Sequence, residues 1–233
     1  MKTVNKILLI TYGFFLVLIL IGMIILRLML PTVGVQNTRT PGNVVSLKYD
    51  FQKFNAVSLS GTWTADIVYG TNFAVVLEVP AGLTDQLEVN QADQTLKIGL
   101  LYKNQPVDQN QLKVHIVMPE LSRLEGAGGN KIEFSGFQGK SFETTTSGAA
   151  EIIGKNNLFK DVKVESSGVS HIDFSDSPAV NADVQLSGAG NIRLNMKGGK
   201  LSGNISGASV IRYTGTVSSK TIQTSGMSSI KQE

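Results

Sequence analysis

The stretch Leu-Ser-Gly-Ala-Gly-Asn-Ile at residues 186–192 is the clearest copy of a unit that repeats through the second half of the 233-residue chain. Its glycine belongs to a series with spacings of 20, 20, 20, 19 and 19 residues: Gly128, Gly148, Gly168, Gly188, Gly207 and Gly226. An isoleucine stands four residues after each of the six glycines, and a serine directly precedes five of them. Repetition at this period indicates a solenoid or a related repeat architecture.

The residues around each isoleucine alternate as they do in a β-strand. The position two residues later shares the face of the isoleucine and is large and apolar or aromatic in four of the six copies: Phe134, Phe174, Leu194 and Tyr213. The position between them is charged in five copies: Glu133, Asp173, Arg193, Arg212 and Lys231. A second alternation follows later in each unit, as at residues 162–166. Each unit therefore holds at least two strands, and stacked units would bury one continuous apolar stripe.

The glycine and the serine before it fit the corners of such coils. Glycine tolerates positive φ and close approach of a neighbouring coil, and the serine can bond local backbone there. A less regular copy begins near Leu59, where Gly61 and Ile67 are separated by six residues, as Gly126 and Ile132 are. From Val44 onward the pattern is β throughout, without a helical period. The sequence predicts an all-β fold in two parts. Residues 44–120 form an irregular β-rich part, interpreted as early, irregular coils. Residues 121–233 form regular parallel β-solenoid repeats in coils of about 20 residues.

The N-terminus predicts a membrane anchor. Residues 7–26 form an uncharged run as long as a membrane-spanning helix. Lys2 and Lys6 precede this run and favour a cytoplasmic N-terminal tip. We expect a tip and signal anchor at 1–30, a linker at 31–43 and an extracytoplasmic remainder. A cleaved signal peptide is the alternative, although no Ala-x-Ala site follows the run. The chain has no cysteine, so lipid acylation and disulfides are not expected.

The charge excludes nucleic-acid binding as an expected function. The net charge of +3 comes entirely from Lys2, Lys6 and Arg27, because the chain has 21 basic and 18 acidic residues in total. The remainder is neutral and lacks a basic tract, whereas nucleic-acid binding requires a concentrated positive surface.

Three segments resemble a bacterial family, the putative auto-transporter adhesin head domain with a Gly-Ile-Asn signature. They are 54–61 (Phe-Asn-Ala-Val-Ser-Leu-Ser-Gly), 114–121 leading into Gly126-Ala127-Gly128, and 186–192. The resemblance covers roughly Tyr49 to the C-terminus. It implies a cell-envelope protein with a right-handed β-helix-like fold, found mainly in Bacteroidetes-like bacteria, and it supplies no catalytic residues.

The best candidate for chemistry is the cluster of His171, Asp173 and Asp176, since some β-helix enzymes cleave polysaccharides with clustered carboxylates. His171 and Asp173 share a face by parity. The simpler interpretation, which we favour, is a solvated outer face on which Asp173 pairs with Arg193 of the next coil.

Other candidates also have structural explanations. His115 should point to solvent, opposite to its apolar neighbours. Trp63, Tyr69 and Phe73 could form a sugar platform, but we favour core packing for all three. Ser60, Ser147 and the other repeated serines lack a paired base, so they are not expected to be nucleophiles. Between the repeated glycine and isoleucine, an acidic residue occurs only at Glu151, which argues against calcium ions bound between successive coils. No catalytic, cofactor-binding or metal-binding residue and no cofactor is predicted.

The sequence thus favours a non-enzymatic, membrane-tethered adhesin or scaffold module of the cell envelope that binds through a flat lateral face of the solenoid. Alternatives are a polysaccharide lyase or hydrolase, and an envelope sensor or assembly partner. The expected partners are the lipid bilayer and a cell-surface glycan or an envelope protein. The oligomeric state stays open, since an exposed terminal strand could also pair with a second copy.

Overall fold

The computed structural model describes residues 43–101 and 112–233. Within these residues the chain forms thirteen β-strands and one short 3-10 helix, which spans Ala81–Gln86. In chain order the strands are β1 Val44–Tyr49, β2 Ala56–Gly61, β3 Thr64–Tyr69, β4 Ala74–Pro80, β5 Leu87–Ala92, β6 Thr95–Leu100, β7 Lys113–Met118, β8 Arg123–Ser135, β9 Gln138–Lys155, β10 Leu158–Lys197, β11 Lys200–Thr216, β12 Ser219–Thr224 and β13 Ser229–Gln232.

The strands from β8 onward stack in parallel and in register with the sequence repeat. Gly128 of β8 pairs with Gly148 of β9, which pairs with Gly168 of β10, and Gly188 pairs with Gly207 of β11. β12 and β13 both lie on β11. β10, with 40 residues, covers two coils as one continuous strand. Its first part pairs with β9, with a register shift between Asp173 and Asp176, and its last part pairs with β11. The predicted all-β parallel solenoid, with about six turns, is confirmed.

The repeated glycines form one corner column. Gly188 has a φ of 131°, and a Cβ added there would clash with the carbonyl oxygen of Gly168 in the preceding coil. Only glycine combines this backbone conformation with such close approach. The serine before one of these glycines, Ser206, donates from Oγ to the carbonyl oxygen of Leu186, 3.1 Å away in the preceding coil, rather than to the local backbone that the sequence suggested.

The predicted inward columns form the core. The isoleucines four residues after Gly128 to Gly207 are all buried, as are Phe134, Phe174, Leu194 and Tyr213. Gln232 in the last coil is exposed, and Gly154 is the other exception in the second column. A Cβ there would lie 2.9 Å from the ring of Phe134 and 3.1 Å from that of Phe174, so the two rings, 5.6 Å apart between centroids, occupy its place. Dense packing explains why this position carries no side chain.

Within the N-terminal part, β2 and β3 together form a coil that stacks on the regular repeats. Both strands pair in parallel with β8 and place Gly61 beside Gly128. Ile67 therefore lies beside Phe134, and the suggested equivalence of Ile67 with Ile132 is wrong by two residues. The error arises because positions two apart share a face in a strand and look alike in the sequence.

The remaining N-terminal strands do not all continue the coils. β6 pairs in parallel with β2, and β7 with β3, but β5 lies antiparallel on β6. β4 lies antiparallel between β1 and β7. The described part of 44–120 thus holds two parallel layers, β2 with β3 and β6 with β7, to which β1, β4 and β5 are added by antiparallel pairing. The expectation of early, irregular coils fits the parallel layers and fails for these three strands.

The predicted anchor at 7–26 lies outside the residues that the structure describes. In 43–101 and 112–233, no helix is long and apolar enough to cross a membrane.

A candidate binding groove on one lateral face

One side of the solenoid carries a shallow groove. The outward side chains of this side, which we call the groove face, come from segments 122–125, 141–145, 161–165, 181–185 and 200–204 of five successive coils. Alternation decides their direction: Val162 and Val164 are buried, whereas Lys163 between them is exposed. Regular stacking therefore places equivalent outward side chains in rows along the solenoid axis, about 4.8 Å apart.

The groove has a volume of about 670 Å³ and opens to solvent. Its walls are polar and charged, while its floor lies over Phe142, Val162 and Ala182, whose side chains are buried on the inner side of the strands. The other lining residues are Ser122, Arg123, Ser141, Glu143, Asp161, Lys163, Asn181, Asp183, Lys200 and Ser202. The sequence predicts binding through a flat lateral face, and on this side of the solenoid the surface is a shallow, open groove.

A ladder of ion pairs forms the first row of the groove. Glu143 accepts from Arg123 Nε at 3.3 Å and from Lys163 Nζ at 3.0 Å, and Lys163 also contacts Glu165 at 2.7 Å. The hydrogen bond from Lys163 and the charges of Lys163 and Arg123 hold the pKa of Glu143 below its ordinary value. The hydrogen bonds to Glu165 and Glu143 raise the pKa of Lys163. The ladder therefore keeps its charges paired at neutral pH.

An amide bridges three coils in the second row. Asn181 donates from Nδ2 to Asp161 Oδ1 at 2.7 Å, and its Oδ1 accepts from the backbone N–H of Lys200 at 2.8 Å. Both functional atoms of the amide are thus used, which fixes the orientation of Asn181 and of the Asp161 carboxylate.

The Asp183 carboxylate is held in the same way. Its Oδ1 accepts from Gln185 Nε2 and its Oδ2 from Ser202 Oγ, both at 2.7 Å. Gln185 in turn accepts from Asn204 at 3.0 Å. Beyond Gln185 lies a second depression of about 360 Å³, toward the glycine corner, lined in part by Glu165, Gln185 and Asn204. The groove face is therefore a preorganised polar surface rather than a set of loose side chains.

The sequence candidates for chemistry do not converge into a site. His171 and Asp173 share an outer face as predicted, and the predicted pair of Asp173 with Arg193 is present at 3.5 Å. Burial alone would raise the pKa of Asp173, but hydrogen bonds from Ser175 and the charge of Arg193 outweigh it and lower that pKa. Asp176 instead accepts from the backbone N–H of Asn156. The two carboxylates thus serve separate structural contacts.

The other predicted side chains have mixed outcomes. His115 is exposed as expected, but it is paired, with Nδ1 2.8 Å from Asp66 Oδ2. Trp63 is fully buried and donates to the carbonyl oxygen of Ser60, and Phe73 packs partly buried against Phe54. Tyr69 is 49% exposed, so the core prediction is wrong for that ring.

No metal-binding cluster of three or more His, Cys, Asp or Glu side chains exists in the part of the chain that the structure describes. The groove residues themselves were not singled out from the sequence. The available signal was the alternation of charge at the 20-residue period through Arg123, Glu143, Lys163 and Asp183.

Comparison with known proteins agrees with this fold. The family model described as "putative auto-transporter adhesin, head GIN domain" matches residues 53–177, more than half of the chain, and confirms the sequence resemblance. No curated protein matches the chain.

Solved structures share the architecture at low identity. A putative adhesin from Bacteroides fragilis is 14% identical with a TM-score of 0.68, covering 82% of this chain and 97% of its own. A putative adhesin from Parabacteroides merdae is 16% identical with a TM-score of 0.51, covering 83% and 97%. A putative lipid binding protein from Parabacteroides distasonis is also 16% identical with a TM-score of 0.51, covering 83% and 98%. At such identity these structures establish the fold alone.

Proposed function

Because the chain belongs to the putative auto-transporter adhesin, head GIN domain family, we propose that it is a non-enzymatic, adhesin-like module of the cell envelope that binds its target through the groove face. The observation that carries this proposal is the groove of about 670 Å³, whose walls are built from side chains of five coils.

The construction of the groove suits binding. Its polar side chains lie on strands of a continuous sheet, and the hydrogen bonds of Asn181 and Asp183 hold them in place before any target arrives. A preorganised surface loses little side-chain entropy on binding. The paired carboxylates of Glu143 and Asp183 also have structural partners on both of their oxygens, which favours recognition over general acid–base chemistry.

We also propose that residues 7–26 tether the module to the cell membrane, with the solenoid on the outer side. Its coils are proposed to wind right-handed, as connections between parallel strands do in nearly all known cases. If the tether exists, the full-length protein stays with the membrane fraction after alkaline carbonate washing and a variant lacking residues 1–30 does not. Release of the full-length protein by the wash would contradict the tether.

Binding through the groove can be tested with two tryptophan variants of the same strand. Ser202 lies in the groove, whereas Thr214, similarly half-buried on β11, lies outside it. Full-length protein on beads would be applied to surfaces coated with mucin glycoprotein, peptidoglycan or fibronectin. We expect at least one surface to retain the wild-type protein. The Ser202→Trp variant should lose this retention because its indole fills the groove, and the Thr214→Trp variant should be retained like the wild type. Retention on none of the surfaces, or equal retention of both variants, would refute the proposal.

A further inference from the structure

The charges that line the groove cancel. Three basic side chains, Arg123, Lys163 and Lys200, face three acidic ones, Glu143, Asp161 and Asp183. The signs alternate along the first row, and Glu143 contacts both of its neighbours, Arg123 and Lys163. A charged polymer of either sign would meet repulsion and attraction in equal measure along this row, so the groove offers it no net electrostatic gain.

The groove nevertheless keeps unused hydrogen-bonding capacity. A carboxylate provides about four acceptor positions, and Asp183 uses one on each oxygen, toward Gln185 and Ser202. Ser202 already shows the contact that a ligand could repeat, because it donates a hydroxyl group to a carboxylate held by its neighbours. Asp161 is held similarly by Asn181. These groups suit a ligand that is rich in hydroxyl donors.

The shape of the groove favours an extended ligand. Its lining residues come from five successive coils, which span about 19 Å along the solenoid axis at the usual spacing of strands. The groove is open rather than enclosed, so it does not select a small molecule by surrounding it. The two acceptor carboxylates, Asp161 and Asp183, belong to adjacent coils and to different rows, so a ligand that reaches both must extend over more than one coil.

A protein partner fits the groove less well. Binding hot spots between proteins are enriched in tryptophan, tyrosine and arginine within desolvated pockets. The aromatic residue of the groove, Phe142, is 1% exposed and lies under the floor. Arg123 is occupied by Glu143.

We propose, on the premise that the groove face is the binding surface, that its ligand is a neutral linear polysaccharide lying along the solenoid axis. Hydroxyl groups of successive sugars donate to Asp161 and Asp183, while Asn181 and Ser202 hold these carboxylates in position. Binding of one chain is weak because the floor presents no exposed ring for stacking. Display of many copies on one surface raises the avidity by about 10²–10⁴-fold over a single site.

The test is calorimetric titration of the full-length protein with neutral hexasaccharides of β-1,4-linked glucose, mannose, xylose and N-acetylglucosamine, and with an acidic hexamer of galacturonate. We expect at least one neutral hexasaccharide to bind, and more tightly than its trisaccharide. Asp183→Asn, which keeps the shape of the side chain, should weaken binding about tenfold, the effect of losing roughly 1.4 kcal/mol. Asp161→Asn should act in the same direction.

Thr214→Trp serves as the control on another face and should bind the hexasaccharide as the wild type does. Binding of the acidic hexamer alone, binding that ignores both aspartate substitutions, or no binding of any neutral hexasaccharide would each overturn the proposal. If the hexasaccharides fail while Ser202→Trp still abolishes retention on a coated surface, the groove binds another class of ligand and its role as the binding surface stands. Failure of both experiments removes that role as well.

Discussion

Replacing Gly188 with alanine is expected to destabilise the protein by about 3 kcal/mol or more, because a side chain is strained in this region of backbone conformation and the clash adds to the strain. The φ of Gly188 is 131°, and its added Cβ would meet the backbone carbonyl oxygen of Gly168. Backbone at a coil corner cannot move aside without disturbing the pairing of two coils. Urea denaturation followed by circular dichroism would measure the loss.

Gly82→Ala is the matched control for this substitution. Gly82 lies in the 3-10 helix, and an added Cβ there has no neighbour within 4 Å. A Gly-to-Ala change at such a site is neutral or slightly stabilising. If Gly188→Ala unfolds at the same urea concentration as Gly82→Ala, the glycine column is not the constraint that the fold implies.

The second large effect is expected at Phe142, which is 1% exposed and lies between the core and the floor of the groove. Its ring centroid is 4.8 Å from that of Phe134, 5.0 Å from that of Phe159 and 6.0 Å from that of Phe174. Phe142→Ala should therefore cost about 3–5 kcal/mol of stability, the usual cost of deleting a buried ring.

Leu158→Ala provides the comparison for Phe142→Ala, since Leu158 is 51% exposed although it is also large and apolar. A substitution at such a surface position usually changes stability by less than about 0.5 kcal/mol. The free energy of unfolding from denaturant titration distinguishes the two. Similar losses for both variants would mean that the aromatic cluster is not a packed unit.

The solenoid could be predicted from the sequence because six copies repeat the same physical constraint. A glycine at one corner and an isoleucine four residues later recur whatever the intervening residues are, so chance matches at single positions are averaged out. The paired columns of Ile172 and Phe174 inside and Asp173 outside follow directly from alternation in a strand.

The N-terminal part could not be predicted in the same way. Alternation looks identical in parallel and antiparallel strands, so β1, β4 and β5 carry no sign that they leave the coil pattern. Ile67 was misplaced for another reason: positions two apart share a face in a strand, so its alignment with Phe134 could not be told from one with Ile132. The pairing partners of these strands depend on tertiary contacts. The N-terminal part shows the repeat in one irregular copy, near Leu59, which is too little to reveal those contacts.

The groove could not be predicted from the sequence, although the charge pattern of its first row is visible there. Arg123, Glu143, Lys163 and Asp183 alternate in charge at the 20-residue period, and the pairing of the coils places them in one outward row. Whether such a row lies on a ridge, a plane or a concave surface depends on where the chain turns between strands. The structure adds that depth, together with the amide of Asn181 that ties three coils together.

The most direct test of binding through the groove face is the ratio of bound Thr214→Trp protein to bound Ser202→Trp protein on one coated surface that retains the wild type. Both variants add the same side chain to β11, so differences in expression or general stickiness largely cancel. We predict a ratio of at least about ten, equivalent to about 1.4 kcal/mol of binding free energy. A ratio near one, with both variants folded and retained like the wild type, would contradict it.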